Sequence, residues 1–226
     1  SKKNDVIVMP AINFVSSHNV AKLFGARIYL ADVDVQSGQM SPEDFINCCK
    51  KFKLKKVKAL ITMYNGGYPE NAEKFIKLKK KYGFFLIEDA CHALGASYIV
   101  GKKNIMIGSC KHSDLCTFSF HPLKSITTGE GGLVTTNNRS LYDKVKKLSS
   151  LGIQKTKNHW KYEVLYTGFN FRLNDFQSAL GISQLKKLKK FLNFRKKISK
   201  EYIKSLQNFK QIQLPTFKKS YKSSNH

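Results

Sequence analysis

Two segments of the sequence place a charged side chain at the end of an apolar run, which is where catalytic groups are expected in an α/β protein. In the first, Asp89 follows the run Phe84 to Glu88. Ligands of open α/β sheets bind beyond the carboxyl ends of the strands, so we expect Asp89 at that edge. A carboxylate there can keep a cationic ring nitrogen protonated, which an electron-sink cofactor requires. Taken alone, such an aspartate more often caps a helix or forms a salt bridge.

The second segment, Ser119 to Gly132, carries Lys124 between a proline and a glycine-rich stretch. A lysine in a constrained loop can be held in a pocket, have its pKa lowered and form a Schiff base. The hydroxyl of Ser119 could bind an oxyanion such as phosphate. One lysine in a lysine-rich chain is a weak candidate by itself, but its position after a strand and the upstream Asp89 strengthen it.

A third segment, Thr167 to Asp175, precedes a long helical pattern. Asn170 and Arg172 are natural contacts for an anion. Asn174 or Asp175 could instead simply cap the helix that follows. The capping explanation accounts for those two residues and leaves Asn170 and Arg172 as candidates for binding.

Short apolar runs alternate with helical patterns through the first two thirds of the chain, which predicts an α/β domain with a mainly parallel sheet flanked by helices. The predicted strands are Val6 to Met9, Arg27 to Ala31, Ala59 to Met63, Phe84 to Glu88, Leu115 to Ser119 and Gly132 to Thr136. The predicted helices are Ser16 to Phe24, Pro42 to Lys51, Glu70 to Tyr82 and Leu141 to Leu148, followed from Asp175 by one or two long amphipathic helices.

The charge of +25 raises the question of nucleic-acid binding. The excess is almost entirely lysine and is spread over helical patterns, whereas phosphate and base recognition favours arginine. This distribution favours a solvated surface, which would also attract anionic substrates. No uninterrupted apolar run has the length of a membrane span, so no membrane partner is expected.

The five cysteines predict reduced thiols and a cytoplasmic location. Cys110, His112 and Cys116 could be imagined as metal ligands. The sequence has no second pair of ligands to complete such a site, so no metal site is expected. The chain begins without an initiator methionine or a signal pattern, and its tail from Gln207 has too little apolar surface to stand alone. We therefore interpret it as a fragment.

Four motifs in order resemble the DegT/DnrJ/StrS family of sugar aminotransferases, which have the aspartate-aminotransferase fold. They are residues 10–16 (PAINFVS), 88–95 (EDACHALG), 119–132 (SFHPLKSITTGEGG) and 168–175 (GFNFRLND). The resemblance implies pyridoxal 5'-phosphate as cofactor. It further implies that residues 1–190 are the central part of the large cofactor-binding domain. Residues 191–226 would be a linking helix and the start of a small C-terminal domain.

The resemblance also assigns roles to residues of this chain. Lys124 is implied to hold the cofactor covalently and to shuttle the substrate proton, and Asp89 to pair with the pyridine nitrogen. The remaining implied cofactor contacts are Phe14 stacked on the ring, His92 near the ring hydroxyl, Ser119 at the phosphate, and Asn170 at the phosphate of a neighbouring subunit in a homodimer. His121 is implied to lie close to the reacting centre, without an assigned role.

Within the family, residues 111–124, 160–163 and 180–185 are most similar to members of the pseudaminic acid pathway. These transfer an amino group from glutamate to the 4-keto carbon of a UDP-linked deoxysugar. Enzymes of the perosamine or legionaminic type, a non-catalytic regulator that binds the cofactor, and a nucleic-acid-binding protein remain alternatives. The chain departs from the family pattern at Tyr64, where many members have histidine, and the family's Gly-Thr-Ala phosphate-binding turn is expected before Ser1.

Overall fold

The computed structural model describes residues 3–158 and 160–226 of the chain. Its strands and helices follow in the order β1 Val6–Pro10, α1 Val15–Leu23, β2 Arg27–Ala31, α2 Pro42–Lys51, β3 Ala59–Met63, α3 Phe75–Tyr82, β4 Phe85–Asp89, β5 Ser97–Val100, β6 Lys103–Met106, β7 Leu115–Ser119, β8 Gly132–Thr135, α4 Arg139–Leu148, β9 Ile153–Lys155, β10 Tyr162–Val164, α5 Asp175–Leu206 and β11 Tyr221–Lys222.

A six-stranded sheet in the order β2-β1-β3-β4-β7-β8 forms the centre of the fold. All its neighbouring strands are parallel except the antiparallel pair of β7 and β8. The register pairs Met63 with Asp89 and Asp89 with Thr117, so β3, β4 and β7 end at one edge. The predicted α/β architecture and its six sheet strands are confirmed.

Apolar side chains cover both faces of this sheet, which explains why its central strands are continuous apolar runs. On one face, Val8, Leu60 and Leu86 pack with Phe45 of α2 and Phe75 of α3. The opposite face forms a second cluster from other residues of the same strands and from α1: Ile7, Met9, Ala21, Ala26, Ala59 and Ile61. Both clusters hold the strand ends, and hence the polar residues that follow them, in fixed positions.

The helix predicted over Glu70 to Tyr82 begins only at Phe75, so the prediction was wrong for its first five residues. Asn71 has a φ of 65°, which no right-handed helix accommodates. Glu70 is buried and bound by Lys218 from the far end of the chain. The periodic pattern of apolar residues therefore continued into a segment that forms a turn. The ion pair between Lys218 and Glu70 holds this turn in place.

A single helix, α5, occupies the region where one or two were predicted. It begins with a reciprocal cap in which the Asn174 side chain accepts from the Gln177 backbone and the Gln177 side chain accepts from the Asn174 backbone. The helix continues without interruption across residues 190 and 191. Division of the chain into a large-domain part and a small-domain part near that point stays a proposal.

The tail beyond α5 folds back onto the sheet domain, which the sequence pattern did not predict. β11 pairs antiparallel with β5, matching Tyr221 with Tyr98. Tyr68 packs edge-on against both Phe217 and Tyr221. The Tyr221 hydroxyl donates to Glu73 over 2.7 Å. These contacts carry the last described residues to the edge of the sheet where Asp89 lies.

Among the helices of residues 3–158 and 160–226, none combines the length and apolar character that crossing a bilayer would need.

Candidate active site

Asp89 is the last residue of β4 and lies buried at the carboxyl edge of the sheet, with 5% of its surface exposed. Its Oδ1 accepts from the backbone N–H of Cys91 over 3.1 Å, and its Oδ2 accepts from the Ser17 hydroxyl over 3.3 Å. The two donors come from the loop after β4 and from α1, so they orient both carboxylate oxygens. A buried carboxylate held this way is suited to pair with a cation.

Glu88, the preceding residue, is directed to the other side of the sheet because successive strand side chains alternate. The Tyr64 hydroxyl donates to its Oε1 over 2.6 Å, and the Ser113 hydroxyl donates to its Oε2 over 2.9 Å. Burial raises the pKa of Glu88, and these two hydrogen bonds partly oppose that rise. Tyr64, which departs from the family pattern, therefore serves as a buried donor to the carboxylate behind the site.

Replacing Tyr64 by phenylalanine is expected to lower the free energy of unfolding by about 1.5–3 kcal/mol at neutral pH, because a buried carboxylate loses a donor. The folded pKa of Glu88 lies above its ordinary 4.5. The contribution of Glu88 therefore favours folding below pH 4.5, and it weakens as the pH rises through the pKa of Glu88 in the folded protein. The loss in the variant should accordingly grow with pH. Urea denaturation at neutral pH and near pH 4.5 measures it.

The control is Tyr142→Phe, which removes a hydroxyl from a tyrosine that is 46% exposed. We expect it to change the free energy of unfolding by less than about 0.5 kcal/mol at either pH. Equal losses in the two variants would contradict a special role for the Tyr64 hydroxyl.

Lys124 lies in the loop between β7 and β8. Backbone hydrogen bonds within this loop close it. The Lys124 N–H donates to the His121 carbonyl over 2.9 Å, and the Thr128 N–H donates to the Phe120 carbonyl over 3.0 Å. The side chain is half-buried. The loop thus presents Lys124 from a tight turn instead of from a freely moving segment.

The charges of Lys124 and Asp89 act on the same two neighbours, which places them at one site. Burial raises the pKa of the Cys91 thiol to about 12, the Asp89 carboxylate adds to this rise, and Lys124 opposes it. Burial also lowers the pKa of His92, Lys124 lowers it further, and Asp89 raises it. His92 is therefore neutral at neutral pH, and its Nδ1 is buried without a hydrogen-bond partner among the described residues.

Of the other predicted residues, Ser119 and His121 belong to the segment that carries Lys124, and Phe14 precedes the helix that carries Ser17. Ser119 ends β7, and its Oγ accepts from the His121 N–H over 3.3 Å. The His121 ring lies 4.0 Å from Glu130 and is 45% exposed, on the rim of the site. Phe14 immediately precedes α1 and is 67% exposed, which leaves its ring available to a ligand.

Asn170 is placed elsewhere within the chain. It is exposed and bridges to Ser150, beside the stacked rings of Phe169 and Phe171. Arg172 is exposed in the same segment, and no described contact joins either residue to Lys124 or Asp89. The structure therefore places Lys124, Asp89 and His92 near one another, and Asn170 lies on a separate surface.

The residues at the sheet edge fit the cofactor that the resemblance implies. Pyridoxal phosphate needs an amine for covalent attachment, a carboxylate for its ring nitrogen and polar partners for its oxygens. Lys124 and Asp89 supply the first two. Both side-chain polar atoms of Asn13, as well as Nδ1 of His92, are buried without a partner among the described residues. Buried polar groups are normally paired, so these atoms indicate a polar ligand.

The three residues considered as metal ligands have other partners. The Tyr98 hydroxyl and His112 Nδ1 lie 2.8 Å apart, and Cys110 Sγ lies 3.2 Å from the Thr135 carbonyl. Cys116 is fully buried in the core cluster around Tyr64. Within residues 3–158 and 160–226, no group of three or more histidine, cysteine and acidic side chains could hold a metal ion.

The whole chain, residues 1–226, matches the model of the DegT/DnrJ/EryC1/StrS aminotransferase family. The chain belongs to this family. It is 37% identical over 227 residues to the UDP-4-amino-4,6-dideoxy-N-acetyl-beta-L-altrosamine transaminase of Campylobacter jejuni, covering 96% of this chain and 56% of the relative. It is also 30% identical over 210 residues to the GDP-perosamine synthase of Escherichia coli O157:H7, covering 93% and 54%.

Among solved structures, the Helicobacter pylori aminotransferase PseC, described as involved in the biosynthesis of pseudoaminic acid, superimposes with a TM-score of 0.83. It is 31% identical and is matched over 100% of this chain and 58% of its own length. The fold of DegT-family aminotransferases is thereby confirmed for this chain. The chain spans a little over half the length of the relatives that it matches.

Two contacts of this DegT-family site were missed from the sequence. Ser17 lies three residues after Phe14, one helical turn further, and that spacing together with the helix start could have indicated a donor at the strand edge. His226 stacks on His92 with ring centroids 4.0 Å apart. No local pattern could have found it, because the two rings meet only through the folding of the tail.

Proposed function

We propose that the protein is a pyridoxal-phosphate-dependent aminotransferase that acts on a nucleotide-linked keto-sugar. The observation that carries the proposal is that Asp89 ends β4 and Lys124 follows β7, two neighbouring parallel strands, within family motifs. A carboxylate for the ring nitrogen and an amine for covalent attachment are what this chemistry requires.

When bound, pyridoxal phosphate supplies an electron sink for the electron pair released from a carbon next to nitrogen. Lys124 would hold the cofactor through its Nζ, and the same amine would serve as the group that accepts and returns the substrate proton. Asp89, oriented by Ser17 and Cys91, would hold the proton on the ring nitrogen. Ser119 would bind the phosphate, Phe14 would pack against the ring, and His92 would contact the ring hydroxyl.

We further propose glutamate as the amino donor and, as acceptor, the 4-keto carbon of a UDP-linked deoxysugar, UDP-2-acetamido-2,6-dideoxy-beta-L-arabino-hex-4-ulose. Support comes from the higher identity to the C. jejuni transaminase than to the perosamine synthase. The lysine-rich surface suits a nucleotide-sugar, since the net charge of +25 attracts anions. A perosamine-type or legionaminic-type sugar is the alternative substrate.

A homodimer would bring Asn170 to the phosphate site of the neighbouring subunit. The support is that Asn170 lies apart from Lys124 on a surface rich in exposed apolar rings, including Phe169 and Phe171. Such a surface is typical of an interface between subunits. His121 stands on the rim, where the sugar would enter.

The test uses the purified protein in its full natural length, loaded with pyridoxal phosphate. Addition of glutamate is expected to bleach the visible absorption of the lysine-bound cofactor and to release 2-oxoglutarate. Addition of the keto-sugar should then restore the absorption and yield an amino-sugar that mass spectrometry detects. Competition between the UDP-linked and GDP-linked keto-sugars decides the nucleotide.

Three results would contradict parts of this proposal. A cofactor band that glutamate and other amino acids leave unchanged would favour a cofactor-binding regulator without turnover. Absence of any band in the folded protein would exclude the lysine-bound cofactor. Sub-micromolar, steeply salt-dependent binding of DNA by a protein without the band would favour the nucleic-acid alternative.

A further inference from the structure

The tail of the chain reaches the candidate active site and is fastened there by its backbone. The His226 N–H donates to the Gly66 carbonyl over 3.0 Å, and the Ser224 N–H donates to the Gly67 carbonyl over 3.1 Å. The Ser224 hydroxyl donates to the carbonyl of His92 over 2.6 Å. Residues 223–226 thus join two loops, the one after β3 and the one after β4.

The approach of these segments is close enough to require glycine. Gly67 has a φ of 77°, and a β-carbon built there would lie 1.9 Å from the Ser224 hydroxyl and 2.5 Å from the His92 carbonyl. Neither distance is possible between non-bonded atoms. Only glycine fits at position 67, where the tail passes. This close fit fixes the backbone of the tail next to His226.

The His226 ring lies over the His92 ring at 4.0 Å with an angle of 23° between the planes. Burial, the neighbouring His92 and the charges of Lys124 and Arg195 lower the pKa of His226 to about 4. The groups that act electrostatically on His92 are Lys124 and Asp89. Both rings are consequently neutral at neutral pH, so they stack without charge repulsion.

We propose that His226 is a positioning residue, whose ring fixes the orientation of the His92 imidazole beside Asp89 and Lys124. The His92 backbone is already held by Ser224, and the stack restrains the side-chain torsion that the backbone contact leaves free. The Nδ1 atoms of both rings are buried without a partner among the described residues. The ring plane of His92 is therefore set by stacking instead of by a hydrogen bond from its Nδ1 to the protein.

The consequence for catalysis rests on the proposed function: a fixed His92 ring would present one nitrogen to the ring hydroxyl of the cofactor. Loss of one such hydrogen bond weakens binding by about 2- to 10-fold. The stack itself is a property of the protein without cofactor, so it can be tested separately.

The experiment compares His226→Ala, which removes the stacking ring, with His226→Phe, which keeps an aromatic face without a titratable nitrogen. Nuclear magnetic resonance of ¹⁵N-histidine-labelled protein follows the titration of His92 in the absence of cofactor. In His226→Ala we expect the pKa of His92 to rise toward its ordinary value, because burial is the main cause of its lowering. In His226→Phe it should stay low. The half-buried His18, which lies outside the stack, provides the control as His18→Ala.

Unchanged His92 titration in His226→Ala would overturn the proposal, and so would equal shifts in the Ala and Phe variants. Should the alanine variant fail to fold by circular dichroism, His226→Asn replaces it, since asparagine is polar and smaller than the ring, so the pKa of His92 should again rise. The dissociation constant for pyridoxal phosphate is then measured for the same variants. If neither the parent nor any variant binds the cofactor, the proposed function fails. The titration of His92 still decides the role of His226 in that case.

Discussion

Replacing Lys124 by alanine is expected to abolish the visible absorption that the protein gains with pyridoxal phosphate and to lower the rate of amino transfer by about 10²–10⁴-fold or more. The variant loses both the covalent attachment and the group that moves the proton, and general acid–base catalysis alone contributes about that factor. Absorption spectra and single-turnover rates with glutamate measure the two losses. The half-buried position of Lys124 in a closed loop is the structural basis.

The matched control is Lys102→Ala, since Lys102 is exposed in the turn between β5 and β6. It removes the same charge from an exposed turn outside the four motifs, and spectrum and rate should stay unchanged. A Lys124→Ala protein that is folded and keeps the parental spectrum and rate would rule out Lys124 as the attachment point. Added methylamine should restore part of the lost rate if the missing amine is the cause.

Replacing Asp89 by asparagine is expected to lower the pKa of the cofactor ring nitrogen by about 1–3 units and the rate of amino transfer by about 10- to 1,000-fold. An opposite charge at a few ångströms shifts a pKa by that amount, and each unit corresponds to a tenfold change in the protonated fraction. Asparagine keeps the shape and can still accept from the Cys91 N–H. The expected loss of rate therefore reflects the missing negative charge and not a change in geometry.

The absorption of the bound cofactor, followed as a function of pH, measures the nitrogen pKa directly. Asp32→Asn serves as control, because Asp32 is exposed and its carboxylate accepts only from the neighbouring Val33 N–H among its described hydrogen bonds. We expect neither pKa nor rate to change there. An Asp89→Asn protein with parental pKa and rate would show that another group sustains the ring charge.

The sheet and much of the site could be predicted because their signals are local. β1, β3 and β4 are buried apolar runs, and such runs predict central parallel strands wherever they occur. Asp89 ends β4 and Lys124 follows β7, and parallel strands end at one edge, so sequence position predicts that the residues meet. The helix start at Phe75 was misplaced because Lys218 binds Glu70 from a distant part of the chain.

The sequence by itself determined the family, the parallel sheet and the candidate lysine and aspartate, since each follows from short-range order in residue types. Only the tertiary structure decided that Ser17 orients Asp89, that Tyr64 donates to Glu88, and that His226 stacks on His92. Contacts of this kind join residues far apart in the chain. Their formation depends on how the helices and the tail pack on the sheet. Such packing produces no hydrophobic periodicity in the segments that it brings into contact.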